Sequence, residues 1–263
     1  MHPLLLAALV TAATWDAWRW YLARVAAAPE EATALGLTAA FLGALGVARM
    51  TLPAPARPLP LAAVAILLAA YAASYIFLPP IVRAAFAISL TLYCFHVAAF
   101  RERPPIAFWG LVALALPVLP SLQFTLGYPM RLVSAALTVG LLQVQGLMVA
   151  RQGTFLVWRD EMIQFDAPCS GVNMLWAGLL LTLMGCVLLR LGALQVALAL
   201  ALSLALAIAC NVLRAASLFY VEAGLVPQAP GWWHDGIGVA AFALSAGVML
   251  WLLGRLRDRE APA

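Results

Sequence analysis

The chain has 263 residues, 65% hydrophobic and only 10% charged, with a formal net charge of +4. Soluble domains carry about 25% charged residues, so a water-soluble globular protein is excluded. The positive balance comes from arginines in short connections, with no lysine. That is the pattern of positive-inside loops and gives no support to a nucleic-acid partner.

Apolar runs fall at about 3–23, 33–49, 59–79, 82–100, 105–122, 132–149, 170–189, 192–221 and 236–254. They are continuous and do not alternate, so they predict membrane helices and not barrel strands. Pro, Gly or Arg punctuate them, most clearly at Pro79-Pro80 and Pro104-Pro105. The N-terminus lacks the basic region of a signal peptide. Ala26-Ala27-Ala28 imitates a cleavage site, but Asp16 and Arg19 interrupt any apolar region before it. The first run therefore reads as an uncleaved membrane helix.

Orientation rests on the arginines. Arg255, Arg257 and Arg259, and also Arg190, belong on the cytoplasmic side. Three spans after residue 169 satisfy both constraints and put Cys169 and the 222–235 connection outside. The connections at Arg49/Arg57 and Arg101/Arg103 also look cytoplasmic. Both fit only if one segment between 105 and 150 does not fully cross, and the run at 132–149, with Gln143 and Gln145, is the candidate. The fold class expected is an all-α polytopic membrane protein of about eight transmembrane helices with both termini inside. Nine, with the N-terminus outside, is the alternative. Between Arg151 and Pro168 the chain becomes β-branched, aromatic and polar, with Arg159-Asp160-Glu161 at its centre. It reads as a short extracytoplasmic β-hairpin, or as a plain surface loop.

That segment delivers the chain to Asp166-Ala-Pro-Cys169-Ser170-Gly171-Val-Asn173. Pro168 stops the segment before it. Ser170 is a good N-cap for the apolar helix after it, and Gly171 lets another chain approach the backbone closely. Cys169 thus sits at a helix N-terminus, where a thiolate is favoured and free N–H groups can hold an oxyanion. The plain alternative is that Cys169 is small apolar filler. Of the other cysteines, Cys94, Cys186 and Cys210 lie in apolar runs, and no CxxC pair supports a zinc or dithiol site.

The run at 192–221 is almost purely Ala and Leu until Cys210, Asn211 and Arg214. Asn211 and Arg214 are three apart and share a helix face. An arginine at this depth faces a partner or a wet cavity, or snorkels to headgroups. Then come Trp232-Trp233, an aromatic belt, and His234-Asp235-Gly236, with Asp235 and Gly236 placed to cap the last helix. Cys169, Arg214 and His234 therefore come from three successive elements at one predicted depth. A nucleophile, a base and a cationic fork make a coherent acyl-transfer set.

Taken together, Asp166-Ala-Pro-Cys169-Ser170-Gly171, Asn211-Val-Leu-Arg214 and His234-Asp-Gly-Ile-Gly238 resemble the exosortase/archaeosortase family of membrane transpeptidases. The resemblance covers roughly residues 105–254. It implies N-terminal transmembrane helices over 1–104, a catalytic membrane core over 105–254 and a cytoplasmic tail over 255–263. It implies an enzyme of the cytoplasmic membrane that cuts a C-terminal sorting signal, a Pro-Glu-Pro-type motif with a membrane helix and a basic tail after it. The new C-terminus would pass to an envelope acceptor. Cys169 would be the nucleophile, His234 the general base and acid, and Arg214 the oxyanion or substrate holder. Asn211, from helix geometry, would orient Arg214 or His234, and Ser170 and Gly171 would support the cysteine. No cofactor and no metal are needed. The partners implied are exported precursors, membrane lipids and the acceptor.

Three other readings stand beside this. Asp16, Arg19, Arg83, Gln143, Gln145 and Arg214 are the polar groups of a transporter or channel path, although no internal repeat is found. A non-catalytic envelope assembly protein would be expected to lack Cys169, Arg214 or His234. A membrane thiol oxidoreductase needs a second outer cysteine, for which only Cys210 is near enough.

Overall fold

A computed structural model of the chain describes residues 3–50, 61–100, 104–159, 161–164, 170–226, 230 and 232–258. The described residues fall into two units, one over Met1–Val118 and the other over Leu119–Ala263.

In the first unit the 3–23 run does not form one helix. It divides at Thr14 into α1 (Pro3–Ala13) and α2 (Trp15–Ala26). The Thr14 hydroxyl donates to the Val10 carbonyl at 2.8 Å, a back-bond of the kind that bends helices. Beyond it Asp16, Arg19 and Arg24 make α2 too polar to continue an apolar span. The unit continues with α3 (Pro29–Met50), α4 (Leu61–Phe77), α5 (Pro80–Phe100) and α6 (Ile106–Ala115). The two Pro-Pro boundaries therefore stand where the sequence puts them. α5 is the central helix of this unit. Leu90 and Cys94 pack with Leu6, Ala7 and Val10 of α1, and Ala87 packs with Ala17 of α2 and Tyr71 of α4.

The second unit holds α7 (Leu119–Val144), α8 (Val172–Leu189), α9 (Ala193–Glu222) and α10 (Trp233–Asp258). Among the described residues, these four are the helices long and apolar enough to cross a membrane. The expected eight crossing helices are therefore not all found. The partial segment expected at 132–149 is also elsewhere. That run belongs to α7, a 26-residue helix that continues through Pro129. The short piece is α6, whose ten residues end just before Leu116-Pro117. At 1.5 Å per residue it reaches about 15 Å, half of a ~30 Å hydrocarbon core.

Gln143 and Gln145 are explained by the junction at the end of α7. The Gln143 side-chain amide donates to the Val149 carbonyl at 2.9 Å, and the Tyr220 hydroxyl donates to Gln145 Oε1. Both glutamines thus satisfy polar groups where the helix gives way to a sheet. That sheet has three antiparallel strands in the order β1-β2-β3: β1 (Ala150–Gln152), β2 (Phe155–Trp158) and β3 (Glu161–Gln164). The expected hairpin is β2–β3, with Trp158 paired to Glu161, and Arg159 takes a left-handed φ of 52° in the connection. The strand β1 adds a second hairpin through Gly153, at φ 64°. Alternation aims Leu156 and Trp158 inward, onto Ala135, Val139 and Leu142 of α7 and Ala215, Ala216 and Phe219 of α9. The sheet is thereby fixed to the C-terminal third of α9, beside Asn211 and Arg214.

Candidate active site

Three helices supply the site: α8 and α10 by their N-terminal ends and α9 by its C-terminal part. α8 begins at Val172, and the residue before it is Gly171, in the left-handed region at φ 78°. Gly171, and not Ser170, is therefore the N-cap residue. Ser170 is buried, and its hydroxyl still accepts the first helix amide, from Val172 N–H at 3.3 Å. The hydroxyl does the job expected of it from one position further out.

Gly171 is obligatory for two reasons. Its φ is strained for any residue with a side chain. A Cβ there would also stand 2.8 Å from Cγ of Asn211 and 3.0 Å from its Nδ2. The Asn211 side chain thus lies directly against the backbone at the entrance to α8. Asn211 is 1% exposed, and its amide donates to Oγ of Ser134 on α7 at 3.0 Å. A second bond joins α7 to α8 near this end: Gln123 of α7 donates to Oδ1 of Asn173, in the first turn of α8, at 2.8 Å. The sequence alone points to no role for Ser134, Gln123 or Asn173. Their one signal is a lone polar residue within or beside an apolar run.

Arg214 lies one helical turn beyond Asn211 and meets the third helix. A Cβ on Gly238 of α10 would stand 3.3 Å from its Nε, which is buried. Gly238 is itself one turn after His234, so the guanidinium packs beside the first turns of α10. His234 lies in that first turn and its side chain is 47% exposed. Its Nδ1 is 3.8 Å from a carboxylate oxygen of Asp235, a separation too long for a hydrogen bond. α10 starts at Trp233, so Asp235 is a first-turn acidic residue complementing the helix dipole and is not the cap. Gly236 instead gives space to the exposed Trp232 ring, which would be 3.0 Å from a Cβ there.

Of the residues singled out in the sequence, Ser170, Gly171 and His234 lie at the N-terminal ends of α8 and α10, and Asn211 and Arg214 lie inside the C-terminal part of α9. Cys169 lies outside the described residues, one position before Ser170 in the chain. Cys210 is buried within α9.

The family model for transmembrane exosortases matches residues 1–251. The chain belongs to the transmembrane exosortase family. The match runs beyond the 105–254 over which the motifs carry the resemblance, and takes in the N-terminal helices as well. No curated protein and no solved structure matches. The exosortase is accordingly an integral membrane protein of mostly helical structure, with a role related to protein sorting.

Proposed function

We propose that this exosortase is a cysteine transpeptidase that cleaves the C-terminal sorting signal of exported precursors and transfers the new C-terminus to an envelope acceptor. The observation carrying the reading is the junction at Asn211 and Arg214. One face of α9 touches the backbone two residues after Cys169 and the backbone one turn after His234.

In this reading the Cys169 thiolate, favoured by the N-terminus of α8, attacks the scissile carbonyl. Negative charge develops on the carbonyl oxygen, where the Arg214 fork stabilises it. His234 donates a proton to the departing amine, the C–N bond breaks, and a Cys169 thioester remains. His234, now neutral, takes the proton from the acceptor nucleophile as it attacks the thioester. Release of the product returns the thiolate. Asn211 is a positioning residue: its bond to Ser134 holds it rigid between Gly171 and the turn that bears Arg214. The site faces the extracytoplasmic side of the cytoplasmic membrane. Residues 1–104 form the N-terminal helices and 105–254 the catalytic core.

The test is processing of a tagged precursor that ends in a Pro-Glu-Pro-type motif, an apolar helix and a basic tail. It is co-expressed with wild type or with Cys169→Ala at matched protein levels. Wild type is expected to shorten the precursor and Cys169→Ala to leave it full length. Equal shortening by both removes Cys169 as nucleophile. The mass of the new C-terminus distinguishes transfer from hydrolysis.

A further inference from the structure

The unit over residues 1–118 holds a second polar cluster, far in sequence from the Cys-Arg-His motifs and independent of the function proposed for them. Asp16 and Arg19 project from α2, Tyr71 and Tyr75 from the last turns of α4, and Arg83 from the first turn of α5. The single carboxylate is already used. Asp16 pairs with Arg19 at 3.2 Å and accepts from the Tyr75 hydroxyl at 3.0 Å. Arg83 lies over the Tyr75 ring, its Cζ 4.3 Å from the ring centroid. Among the described residues it makes no hydrogen bond and no ion pair, and its Nε is buried.

Asp16, Arg19 and Arg83, with Trp20 and Pro80, line a cavity of about 400 Å³. Two guanidinium groups and one carboxylate leave the cavity with net positive charge. A guanidinium set in an apolar helix without a counter-ion is costly, so the cavity calls for an anion from outside the chain. A planar fork is best matched by a phosphate or carboxylate. The same helix α5 carries, at Val82, Phe86, Leu90 and Tyr93, an apolar groove of about 520 Å³ with Leu67 and Trp109. A free phosphate has nothing to place in such a groove, whereas an acylated phosphate has a chain that fits it.

We propose that the Arg19–Arg83 cavity binds the phosphate of an anionic membrane phospholipid, with an acyl chain along the α5 groove. In the orientation read from the arginine connections the cavity opens at the outer leaflet. That is the side where basic residues are least expected without a purpose. Trp20 at its lining has the amphipathic ring suited to headgroup depth.

The experiment uses the purified full-length protein in neutral detergent. Phosphatidylglycerol, phosphatidylcholine or inorganic phosphate is added, and thermal unfolding and lipid retention in native mass spectra are measured. A ligand bound only by the folded state raises the unfolding temperature. Phosphatidylglycerol is expected to raise it and to be retained, with phosphatidylcholine and inorganic phosphate well behind. Arg83→Gln is expected to lose that phosphatidylglycerol-specific shift. Arg19→Gln, at an exposed position that folding does not need, is expected to reduce retention and serves if Arg83→Gln fails to fold. An equal shift from inorganic phosphate or phosphatidylcholine overturns the proposal. So does full retention of phosphatidylglycerol by both variants.

Discussion

Several helix contacts of the second unit run through glycine, whereas Gly36 and Gly43 of the first unit carry none. Within residues 119–258, four glycines at or within α8 and α10 lie against another helix, while Gly247 and Gly254 of α10 have open space. Gly171 meets Asn211, Gly178 meets Ser203, Gly185 meets Leu253 and Gly238 meets Arg214. Within residues 1–118, Gly36 and Gly43 of α3 have open space where a Cβ would stand. In lipid, helices gain little by hiding apolar surface from each other, so close approach through small residues is what fixes them. The unit with the candidate chemistry has that precision. The other unit packs side chains of mixed size, Val10, Tyr71 and Leu90 together with Ala7, Ala17 and Ala87.

Substitutions can break this contrast, and they rank by expected effect. Arg214→Lys keeps the charge and loses the planar fork, so the processing rate should fall by roughly 10²-fold while the protein inserts normally. A rate near wild type would remove Arg214 from the oxyanion role. Gly171→Ala combines a strained φ with overlap on Asn211, and should cost about 2–4 kcal/mol in the position of the α8 entrance. Chemical denaturation and precursor processing should both register it. Adding Asn211→Ala should recover part of the loss, because the two nearest atoms are gone and only its Cβ, at 3.1 Å, remains. Strict additivity in the double variant would mean the two residues do not act through contact.

Gly238→Ala presses on Arg214 at 3.3 Å, a contact that a few tenths of an ångström relieve. A several-fold slower rate with unchanged stability is expected, since only the guanidinium has to move. Smallest of all, Gly36→Ala and Gly43→Ala should leave processing unchanged and raise stability by up to about 1 kcal/mol each through helix propensity. A clear loss from either would show that the first unit also depends on close backbone contact, and the contrast would fail.

How much of this is legible in the sequence depends on which residues are unusual there. Asn211, Arg214 and His234 stand out because polar groups in apolar runs are rare, and their order along the chain locates the helix ends that meet. Gly171 is recognisable as a point of close approach, but its partner is not, since nothing in a linear pattern says which helix returns to it. Serine's preference for the cap position points to Ser170; the left-handed turn at Gly171 displaces it by one. Helix lengths are least legible. Pro129 lies in a break between apolar runs, yet α7 passes through it, while Pro117 really does stop α6. The run pattern has them reversed, since Pro117 lies inside the 105–122 run and Pro129 between runs. The strand β1 leaves no mark because Ala150-Arg-Gln152 is short and exposed, and is a strand only by pairing with β2.

The contact between Gly171 and Asn211 also sets an order in time. A membrane chain emerges from the ribosome N-terminus first, so α8 reaches the bilayer ahead of α9 and α10. Until Asn211 arrives, nothing from α9 lies against Gly171; until α10 is made, Arg214 has no Gly238 beside it. The last stretch to be translated therefore completes the arrangement. Under the function proposed above, the cysteine passes through insertion before Arg214 and Gly238 have met.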